Sequence, residues 1–493
     1  MAVPAQIPVT QKTPGTYTTV TLGTRGVAGQ AVPKCLFLGC KSAAGAAANA
    51  SITQVEDGTH ADTLFGPGSS LARMCRAAIE EARGTQIYGG VIADAGGTAA
   101  QATITFAAGP STADCTYELT INGWTVTCSI PSGTAAAAAG PLLNAAIQAH
   151  DNYDQMPITS AGPAAVVTLT TKEANVDTTE MVTNIWHDDS NLSVLTATLN
   201  TGATAGVGAL DITAVLANAV TERYNYIACR CQDATNGGRL EAHLDTYASA
   251  VNAKNGQGVI GSMDTPGNQI TLAQAINAHR VQVIGCELFQ TAHYENISRW
   301  VAHRQYEESA EPGTAYKYYP LQNVMAPHLT SDYMTPTEIE AALNAGVTPL
   351  VVEGETQVPR SITSRSQTAG GAPDYTVLDT ANVTVPDYCA FDIKGDFAVR
   401  YVRKTGVAFK VMADPADGNI PQYTATPNIV EDDLEGKMWE WYELGLIVHP
   451  KSPTDYIAQI AASYAAHRIN AQVPVPVAPG LMITDVNLIQ ETG

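Results

Sequence analysis

Charged residues are scarce in this sequence, and basic residues are the scarcest. Of 493 residues, 26 are Lys or Arg and 47 are Asp or Glu, which gives a charged fraction of 15% and a formal net charge of −21. Lys and Arg form no cluster anywhere along the chain. Nucleic acids and anionic membranes are bound by basic surfaces, so we expect neither as a partner. The scarcity of charge also favours a surface that partners cover.

The sequence also lacks long hydrophobic runs. No stretch reaches the ~18 uninterrupted apolar residues of a membrane span, and the alanine run 135–139 is followed at once by Gly140 and Pro141. The N-terminal stretch MAVPAQIPVTQKTPG contains no apolar segment of the kind found in signal peptides. These absences predict a chain that is made and folded in a cytoplasm, without a membrane partner.

Motifs that bind nucleotides or metals are missing as well. The nine cysteines include no CxxC pair, and the closest two, in Cys229-Arg230-Cys231, have no second pair or His at zinc spacing. The sequence 39–42, GCKS, lacks the upstream glycine of a phosphate-binding loop, and no GxGxxG follows a predicted strand. We therefore expect no metal and no cofactor. Buried, reduced thiols are the usual state of cysteine in a cytoplasmic protein.

The clearest local signal is the stretch Thr335–Ser364. Its first residues, Thr335–Glu338, have the pattern of a capping box with Pro at the first helical position. Gly346 follows the helical spacing where a left-handed cap residue is common. Two strands, 347–352 and 358–363, joined by a tight turn, come next. The stretch holds no catalytic pair or ligand cluster, so we interpret it as part of a core.

Patterns along the rest of the chain predict a multidomain protein of mixed α/β class. Helix and strand alternate between 207 and 308, which is typical of a parallel sheet with crossover helices. Short strands dominate from 99 to 200, where Asn122-Gly123 predicts a type I′ hairpin. The predicted parts are an N-terminal arm (1–34), the first part of an α/β core (35–98), a β-rich peripheral insertion (99–200), the α/β core with the helix and hairpin (201–364), a C-terminal domain (365–469) and a C-terminal arm (470–493).

The C-terminal domain is predicted to contain both strands and helices. Strands are expected at 376–385 and 397–401, and a helix capped by Asn428, with a capping box, is expected after them. Residues 454–468 slightly favour a helix by spacing. The first turns of the helix after Asn428 carry Glu431, Asp432, Asp433 and Glu435. Such acids are favourable at a helix N-terminus, and the alternative interpretation is a docking surface.

Two segments of the sequence resemble a known family. Ala61–Ser69, followed by Leu71–Met74, is similar to a pattern in phage contractile-tail sheath proteins, and so is Ala342–Leu350, followed by Pro359–Thr363. Sheath proteins of Mu-like myophages have the most similar pattern. The resemblance extends more loosely over 428–493, except that the proline-rich segment 473–477 replaces the leucine-rich segment usual in the family.

The resemblance implies a structural virion protein rather than an enzyme. Sheath subunits assemble in the host cytoplasm as stacked hexameric rings around a tail tube, between a baseplate and a tail terminator. Contraction of the sheath drives the tube through the host envelope. The terminal arms of one subunit add strands to the sheet of the next. Two alternatives remain open, the sheath of a non-phage contractile injection system and a cytoplasmic α/β enzyme.

Three sets of candidate site residues follow. The intersubunit arms are expected to contain Val3, Ile7, Val9, Val475, Val477, Ile483 and Val486. The candidates for a surface that faces the tube are Glu431, Asp432, Asp433 and Glu435. Because nine is an odd number, the cysteines cannot all pair within one chain. The two alternatives are interchain disulfides and buried, inert thiols. The candidates for interchain disulfides are Cys35, Cys40, Cys75, Cys115, Cys128 and Cys389. Cys115 and Cys128 are expected on one face of the hairpin, diagonal to each other and roughly 7–8 Å apart, too far for an easy bridge.

Overall fold

The computed structural model describes residues 33–82, 84–93, 96–174, 183–187, 195–206, 208–404, 407–448, 459–463, 467–473 and 475–482. Strands and helices are numbered along the chain. Among the described helices, none combines the length and the hydrophobicity needed to cross a membrane.

A seven-stranded sheet forms the centre of the protein. Its strands are β1 (Lys34–Gly39), β2 (Ile52–Val55), β3 (Gln86–Val91), β11 (Tyr226–Cys229), β12 (Gln257–Ser262), β13 (Val281–Gly285) and β15 (Val347–Pro349). They lie in the order β15-β13-β12-β11-β1-β3-β2, and only β2 is antiparallel to its neighbour. This confirms the parallel sheet predicted between 207 and 308.

Helices cover both faces of this sheet because its central strands are apolar on both sides. In β1, Cys35 and Phe37 belong to one buried cluster, and Leu36 and Leu38 belong to the other. The first cluster packs against α1 (Gly58–Phe65), α2 (Ser70–Glu81) and α7 (His293–Ala310). The second packs against α4 (Thr213–Asn218), α5 (Ala234–Tyr247), α6 (Pro266–Ile276) and α8 (Pro336–Asn344).

The capping box predicted for α8 is confirmed. The Thr335 side chain accepts a hydrogen bond from the Glu338 N–H, and the Glu338 carboxylate accepts one from the Thr335 N–H at 2.8 Å. Gly346 has a φ of +86°, and a Cβ there would lie 2.6 Å from the Ser364 carbonyl oxygen. Only glycine fits this turn, which leads α8 directly into β15.

The β-rich insertion has its own hydrophobic core. Its strands are β4 (Ala99–Ala107), β5 (Cys115–Ile121), β6 (Trp124–Ile130), β7 (Ile158–Ala161), β8 (Val166–Ala174), β9 (Thr183–His187) and β10 (Thr196–Thr204), and its helix is α3 (Ala136–Gln148). The strands form two antiparallel sheets, β10-β4-β8-β7 and β6-β5-β9. Asn122 and Gly123 both have positive φ, which confirms the hairpin turn between β5 and β6.

Buried charges join the insertion to the central sheet. Glu173 at the end of β8 accepts hydrogen bonds from the Ser70 N–H at 2.6 Å and from Arg230 Nη1 at 2.7 Å. The guanidinium of Arg73 lies 4.1 Å from the ring centre of Trp124, and its Nη2 donates to the Asn122 carbonyl at 3.0 Å. The tip of the hairpin and the end of β8 are therefore both held in the core.

The stretch 347–360 divides between two sheets. β15 belongs to the central sheet, whereas β16 (Val351–Glu353) and β17 (Glu355–Arg360) form a hairpin that joins β14 (Lys317–Pro320) in a sheet of three strands. The sequence predicted one buried strand over 347–352. In the structure, the chain changes sheets at Leu350, which is buried in the core beneath.

The C-terminal part is built on two long helices, with short strands around them. The helices are α9 (Ala381–Arg400) and α10 (Pro427–Glu443). The strands are β18 (Val402–Lys404), β19 (Val407–Ala408), β20 (Lys410–Val411), β21 (Thr424–Ala425), β22 (Gln459–Ser463) and β23 (Arg468–Gln472). They pair as β18-β19, β20-β21 and β22-β23.

Three C-terminal predictions are wrong. The strands predicted at 376–385 and 397–401 fall largely on α9, because the stripe Val385, Cys389, Ile393 and Phe397 has the spacing of four that a helix buries on one face. The cap of α10 is Thr426 rather than Asn428, and Pro427 occupies the first helical position. Residues 459–463 are a strand, although the spacing over 454–468 slightly favoured a helix.

Candidate functional site

The candidate assembly surface lies on α10 and the elements around it. Val430, Leu434, Met438 and Trp441 follow one another at helical spacing and are buried against α9. The indole N–H of Trp441 donates to the Asp392 carboxylate at 2.9 Å. These contacts fix the rotation of α10, so its opposite face is directed outward.

The four acidic candidates on α10 separate into two groups. Asp433 is bound to α9 and its end, since Arg400 Nη1 donates to it at 2.7 Å and the Tyr401 hydroxyl also donates to it. Burial and this hydrogen bond raise the pKa of Tyr401. Among the described residues, no Lys, Arg or His forms an ion pair with Glu431, Asp432 or Glu435. Asp433 thus has a structural role, and the other three carboxylates remain as the candidate acidic surface.

Exposed hydrophobic residues are concentrated in the same part of the chain. Of the 18 large hydrophobic residues exposed in the described ranges, ten lie between Val399 and Leu481. Val399 is 78% exposed and Leu444 is 59% exposed, and Trp439 and Tyr442 lie beside each other on α10 with ring centres 5.9 Å apart. A contiguous exposed hydrophobic patch marks an interaction surface, and Trp439 and Tyr442 are the two of these residues whose contact is observed.

The first residues of the predicted C-terminal arm pair with another segment of the same chain. Ile447 and Val477 form an antiparallel bridge, and the Val448 N–H donates to the Pro476 carbonyl at 2.7 Å. Val475 and Val477 are half-buried against the C-terminal core. The other arm candidates, Val3, Ile7, Val9, Ile483 and Val486, lie outside the described residues. These contacts hold 475–478 in place, and an intersubunit role for this segment stays a prediction.

Nearby, β22 and β23 form a sheet of two strands. Within the described ranges, neither strand has a second neighbour, so each presents one edge of backbone N–H and C=O groups without a β-partner. Ile460 and Ile469 are half-buried against the helices α9 and α10. An isolated pair of strands is marginally stable, and an open edge is the feature to which an added strand binds.

All nine cysteines are buried, and none of them forms a disulfide within the chain. As the sequence predicted, Cys128 lies opposite Tyr117 and Cys115 opposite Ile130. Burial raises the pKa of the Cys128 thiol to about 11. An interchain disulfide through Cys35, Cys40, Cys75, Cys115, Cys128 or Cys389 stays a prediction, but it would require the surrounding core to open. The geometry therefore favours buried thiols that pack as small hydrophobic groups.

The C-terminal part meets the central sheet through buried ion pairs that the sequence analysis missed. Arg280, just before β13, donates two hydrogen bonds to Asp387 of α9, at 2.7 and 3.0 Å. Arg304 and Glu308 of α7 pair at 2.8 Å, and Thr384 of α9 donates to Glu308 at 3.0 Å. Residues 280 and 387 are far apart in sequence, so no local pattern could reveal their pairing. The i, i+4 spacing of Arg304 and Glu308 was the one available signal.

A small cavity of about 50 Å³ lies at this junction. Its lining includes Asn255, Glu308, Asp387 and Pro33, the residue that leads from the N-terminal region into β1. Its size suits ordered water rather than a cofactor. The junction therefore joins the central sheet, α9 and the start of β1 through polar contacts.

Comparison with known families identifies the central part of the chain. Residues 205–364 match the family model described as the phage tail sheath protein central domain. The matched region runs from α4 to the residues just after β17, and it contributes four of the seven strands of the central sheet. This part of the chain is therefore similar to the central domain of phage tail sheath proteins. No match is found among curated protein sequences.

One solved sheath structure supports the fold at a TM-score of 0.50, and two others align with lower scores. The alignment with the sheath of the anti-feeding prophage in its contracted state includes 98% of this chain and 100% of the sheath chain, with a TM-score of 0.50 and 12% identity. A sheath tail protein from Listeria innocua covers 95% and 97%, with a TM-score of 0.48 and 13% identity. One from Desulfitobacterium hafniense covers 92% and 93%, with a TM-score of 0.46 and 15% identity. The mixed α/β, multidomain fold class predicted from the sequence is confirmed.

Proposed function

We propose that this chain is the subunit of a contractile tail sheath. Copies of it polymerise as stacked hexameric rings around a tail tube, and the contraction of the rings drives the tube through a host envelope. The observation that carries the proposal is the match of residues 205–364 to the tail sheath central domain. The sequence resemblance at 61–74 and 342–363 favours a phage of the Mu-like branch, in which the subunit assembles in the host cytoplasm and belongs to the virion.

The C-terminal surface supports the proposal physically. It combines exposed hydrophobic residues, an acidic stretch and strand edges without β-partners in the part of the chain described. Strand addition depends on main-chain hydrogen bonds, so it can connect neighbouring subunits while their bodies rotate. Residues 1–34 and the end of the chain from about 470 are the arms that supply these strands. The tail tube, the baseplate and the tail terminator are the other partners.

The proposal needs no catalytic step. Contraction can release energy stored in the assembled lattice, so neither a nucleotide nor a metal is required for it. The sequence agrees with this, because it lacks a phosphate-binding loop. The same reasoning applies to the alternative, the sheath of a non-phage contractile injection system, which the similarity to the anti-feeding prophage sheath favours.

Electron microscopy of the purified chain tests the proposal. Negative staining is expected to show long hollow cylinders of stacked rings. A preparation that stays monomeric at all concentrations and salt conditions would contradict the proposal. The two kinds of contractile system are separated by the neighbouring genes, since a phage sheath is expected beside capsid genes and an injection-system sheath is not.

Deleting residues 1–20 is expected to block polymerisation without unfolding the subunit. Within the described residues, the two large hydrophobic clusters on the central sheet are built from Cys35 onward, so the folded core is expected to survive the deletion. Sedimentation is expected to show monomers with an unchanged thermal transition. A control chain in which a Gly/Ser sequence of equal length replaces residues 1–20 separates the loss of the strand from the loss of length. Normal cylinders from the deleted chain would contradict the role of this arm.

Charge reversal on α10 tests the acidic surface. Glu431→Lys with Asp432→Lys is expected to weaken binding to the tail tube and to change the free energy of unfolding by less than about 1 kcal/mol, since exposed charges contribute little to stability. The matched control is Glu353→Lys with Glu355→Lys, which makes the same charge change on the exposed β16–β17 turn. Co-sedimentation with tubes measures binding. Equal binding by both double variants would mean that these acids interact favourably with the helix dipole and do not bind the tube.

A further inference from the structure

A cluster of ionisable side chains lies apart from the candidate assembly surface, between α5 and the turn before β13. Glu241 and Asp245 are four residues apart on α5, so they lie on the same face of the helix. His279 comes from the turn after α6. Its Nδ1 lies 3.1 Å from Glu241 Oε1, and its Nε2 lies 3.5 Å from Asp245 Oδ1.

The contacts within the cluster leave one carboxylate oxygen without a partner. Oε2 of Glu241 is buried and has no hydrogen-bond donor among the described residues. The nearest additional cation is Arg280, whose Nε lies 3.6 Å from Asp245 Oδ1, but its two terminal nitrogens are bound to Asp387. A buried carboxylate oxygen without a donor is unfavourable, because it has lost its hydration and gained no hydrogen bond in return. The cluster is therefore short of positive charge on the Glu241 side.

The other charged side chains near the cluster do not provide the missing positive charge. Burial, followed by the nearby carboxylate of Glu241, raises the pKa of Asp245, as expected where two acids lie close together. Arg239, on the same helix, pairs with Asp211 instead, at 3.1 Å. One ligand atom from each of Glu241, Asp245 and His279 lies within 4.8 Å of the other two. The two carboxylates contact different nitrogens of the His279 ring, so binding to one ion would require one of them to rotate toward the nitrogen that the other faces.

We propose that Glu241, Asp245 and His279 bind a divalent transition-metal ion, and that Zn²⁺ is the ion best matched to them. One imidazole nitrogen and two carboxylate oxygens are usual Zn²⁺ ligands, and a water molecule would complete a four-coordinate site. Ca²⁺ and Mg²⁺ prefer six or more oxygen ligands, so they fit this set less well. The ion would join helix α5 to the turn that precedes β13, so it is expected to stabilise the fold.

The location gives the site a consequence for the central sheet. His279 is next to Arg280, which holds Asp387 of α9. An ion that fixes His279 also restrains the backbone of Arg280 and, through it, the junction with the C-terminal part. Because the ion binds only the folded arrangement, it is expected to raise the thermal stability of the chain as its concentration rises. This inference stands independently of the proposed sheath function, since the cluster is formed within one chain.

Zinc titration of the full-length chain tests the site. The protein is first dialysed against a chelator, and Zn²⁺ is then added in competition with a chromophoric zinc indicator. We expect one equivalent of Zn²⁺ to bind and the thermal transition to move upward. His279→Gln and Glu241→Gln are each expected to weaken binding at least tenfold and to remove the zinc-dependent shift of the transition. Circular dichroism without metal establishes that each variant is folded.

His243→Gln is the matched control, because it removes a histidine from the same helix but outside the cluster. It is expected to bind Zn²⁺ as the unchanged chain does. Absence of zinc binding by the unchanged chain would overturn the proposal. Binding that survives both His279→Gln and Glu241→Gln, or that is lost equally in His243→Gln, would also overturn it, because such zinc binds elsewhere. If His279→Gln does not fold, Glu241→Gln decides the result alone.

Discussion

Replacing Glu173 with glutamine is expected to lower the free energy of unfolding by about 3–5 kcal/mol, because it removes one charge of a buried ion pair, the carboxylate 2.7 Å from Arg230 Nη1. The side chain of Arg230 is completely buried, and that of Glu173 is only 6% exposed. Glutamine can still accept the hydrogen bond from the Ser70 N–H at the start of α2. The change in the free energy of unfolding therefore reports the loss of the negative charge. Chemical denaturation monitored by circular dichroism measures the change.

Two further variants make this result specific. Glu118→Gln, on an exposed position of the same insertion, is expected to change the stability by less than about 0.5 kcal/mol. Adding Arg230→Met to Glu173→Gln removes both charges and is expected to restore most of the lost stability, as replacing whole buried ion pairs often does. Unchanged stability in the single variant, or no recovery in the double variant, would show that the pair does not fix the insertion to the core.

The same contacts show that the insertion cannot be removed without breaking interactions in the core. The sequence predicted a peripheral module over 99–200, and the module does have a separate core. However, its excision would also remove Glu173 from Arg230, and Asn122 and Trp124 from Arg73. Both arginines are buried. Arg73 would keep its ion pair with Glu295 of α7, whereas Arg230 would have to be replaced with an uncharged residue before the folding of a shortened chain could test the domain boundary.

Local signals predicted the elements whose geometry is decided locally. Asn122-Gly123 specified the hairpin, since few other residue pairs accept two positive φ values in succession. The capping box of α8 was readable because both of its hydrogen bonds lie within four residues. The alternating α/β pattern predicted the parallel sheet, since each strand is short, apolar and followed by a helical segment.

Elements that depend on distant contacts were misread. The sequence predicted strands at 376–385 and 397–401, which fall largely on α9. The helix forms although Pro386 lies inside it, because the stripe from Val385 to Phe397 packs against α10. Strand β22 is another case, since Ile460 is held by pairing with β23 rather than by its own spacing. Tertiary packing decides such segments.

The candidate site was predictable only in part. The acidic residues of α10 were identified from the sequence, but the pairing of Asp433 with Arg400 was not, because the two residues are 33 positions apart. The metal-ligating cluster was missed for the same reason. His279 is close to Glu241 and Asp245 only because α6 returns the chain to the edge of α5. Spacing within one segment contains no information about such pairs.

The junction between the central sheet and α9 gives the second large effect. Asp387→Asn is expected to cost about 3–5 kcal/mol, because Arg280 would keep its charge in a buried position and lose its bidentate partner. Here the loss is expected to appear first as a local opening, since α9 meets the core through few other charged contacts and the C-terminal part has a separate hydrophobic cluster. Hydrogen exchange followed by mass spectrometry is expected to show faster exchange in α9 and α10 than in the central strands.

Asp396→Asn provides the comparison on the same helix. Asp396 pairs with Arg400, which is 42% exposed, so its loss is expected to cost less than about 1 kcal/mol and to leave exchange in α9 nearly unchanged. If Asp387→Asn instead accelerates exchange equally in β12, β13 and α9, then α9 and the central sheet open as one unit. The two parts would in that case be expected to move together when the sheath contracts. Selective exchange in α9 and α10 would mean that the Arg280–Asp387 pair is the contact that limits their separation.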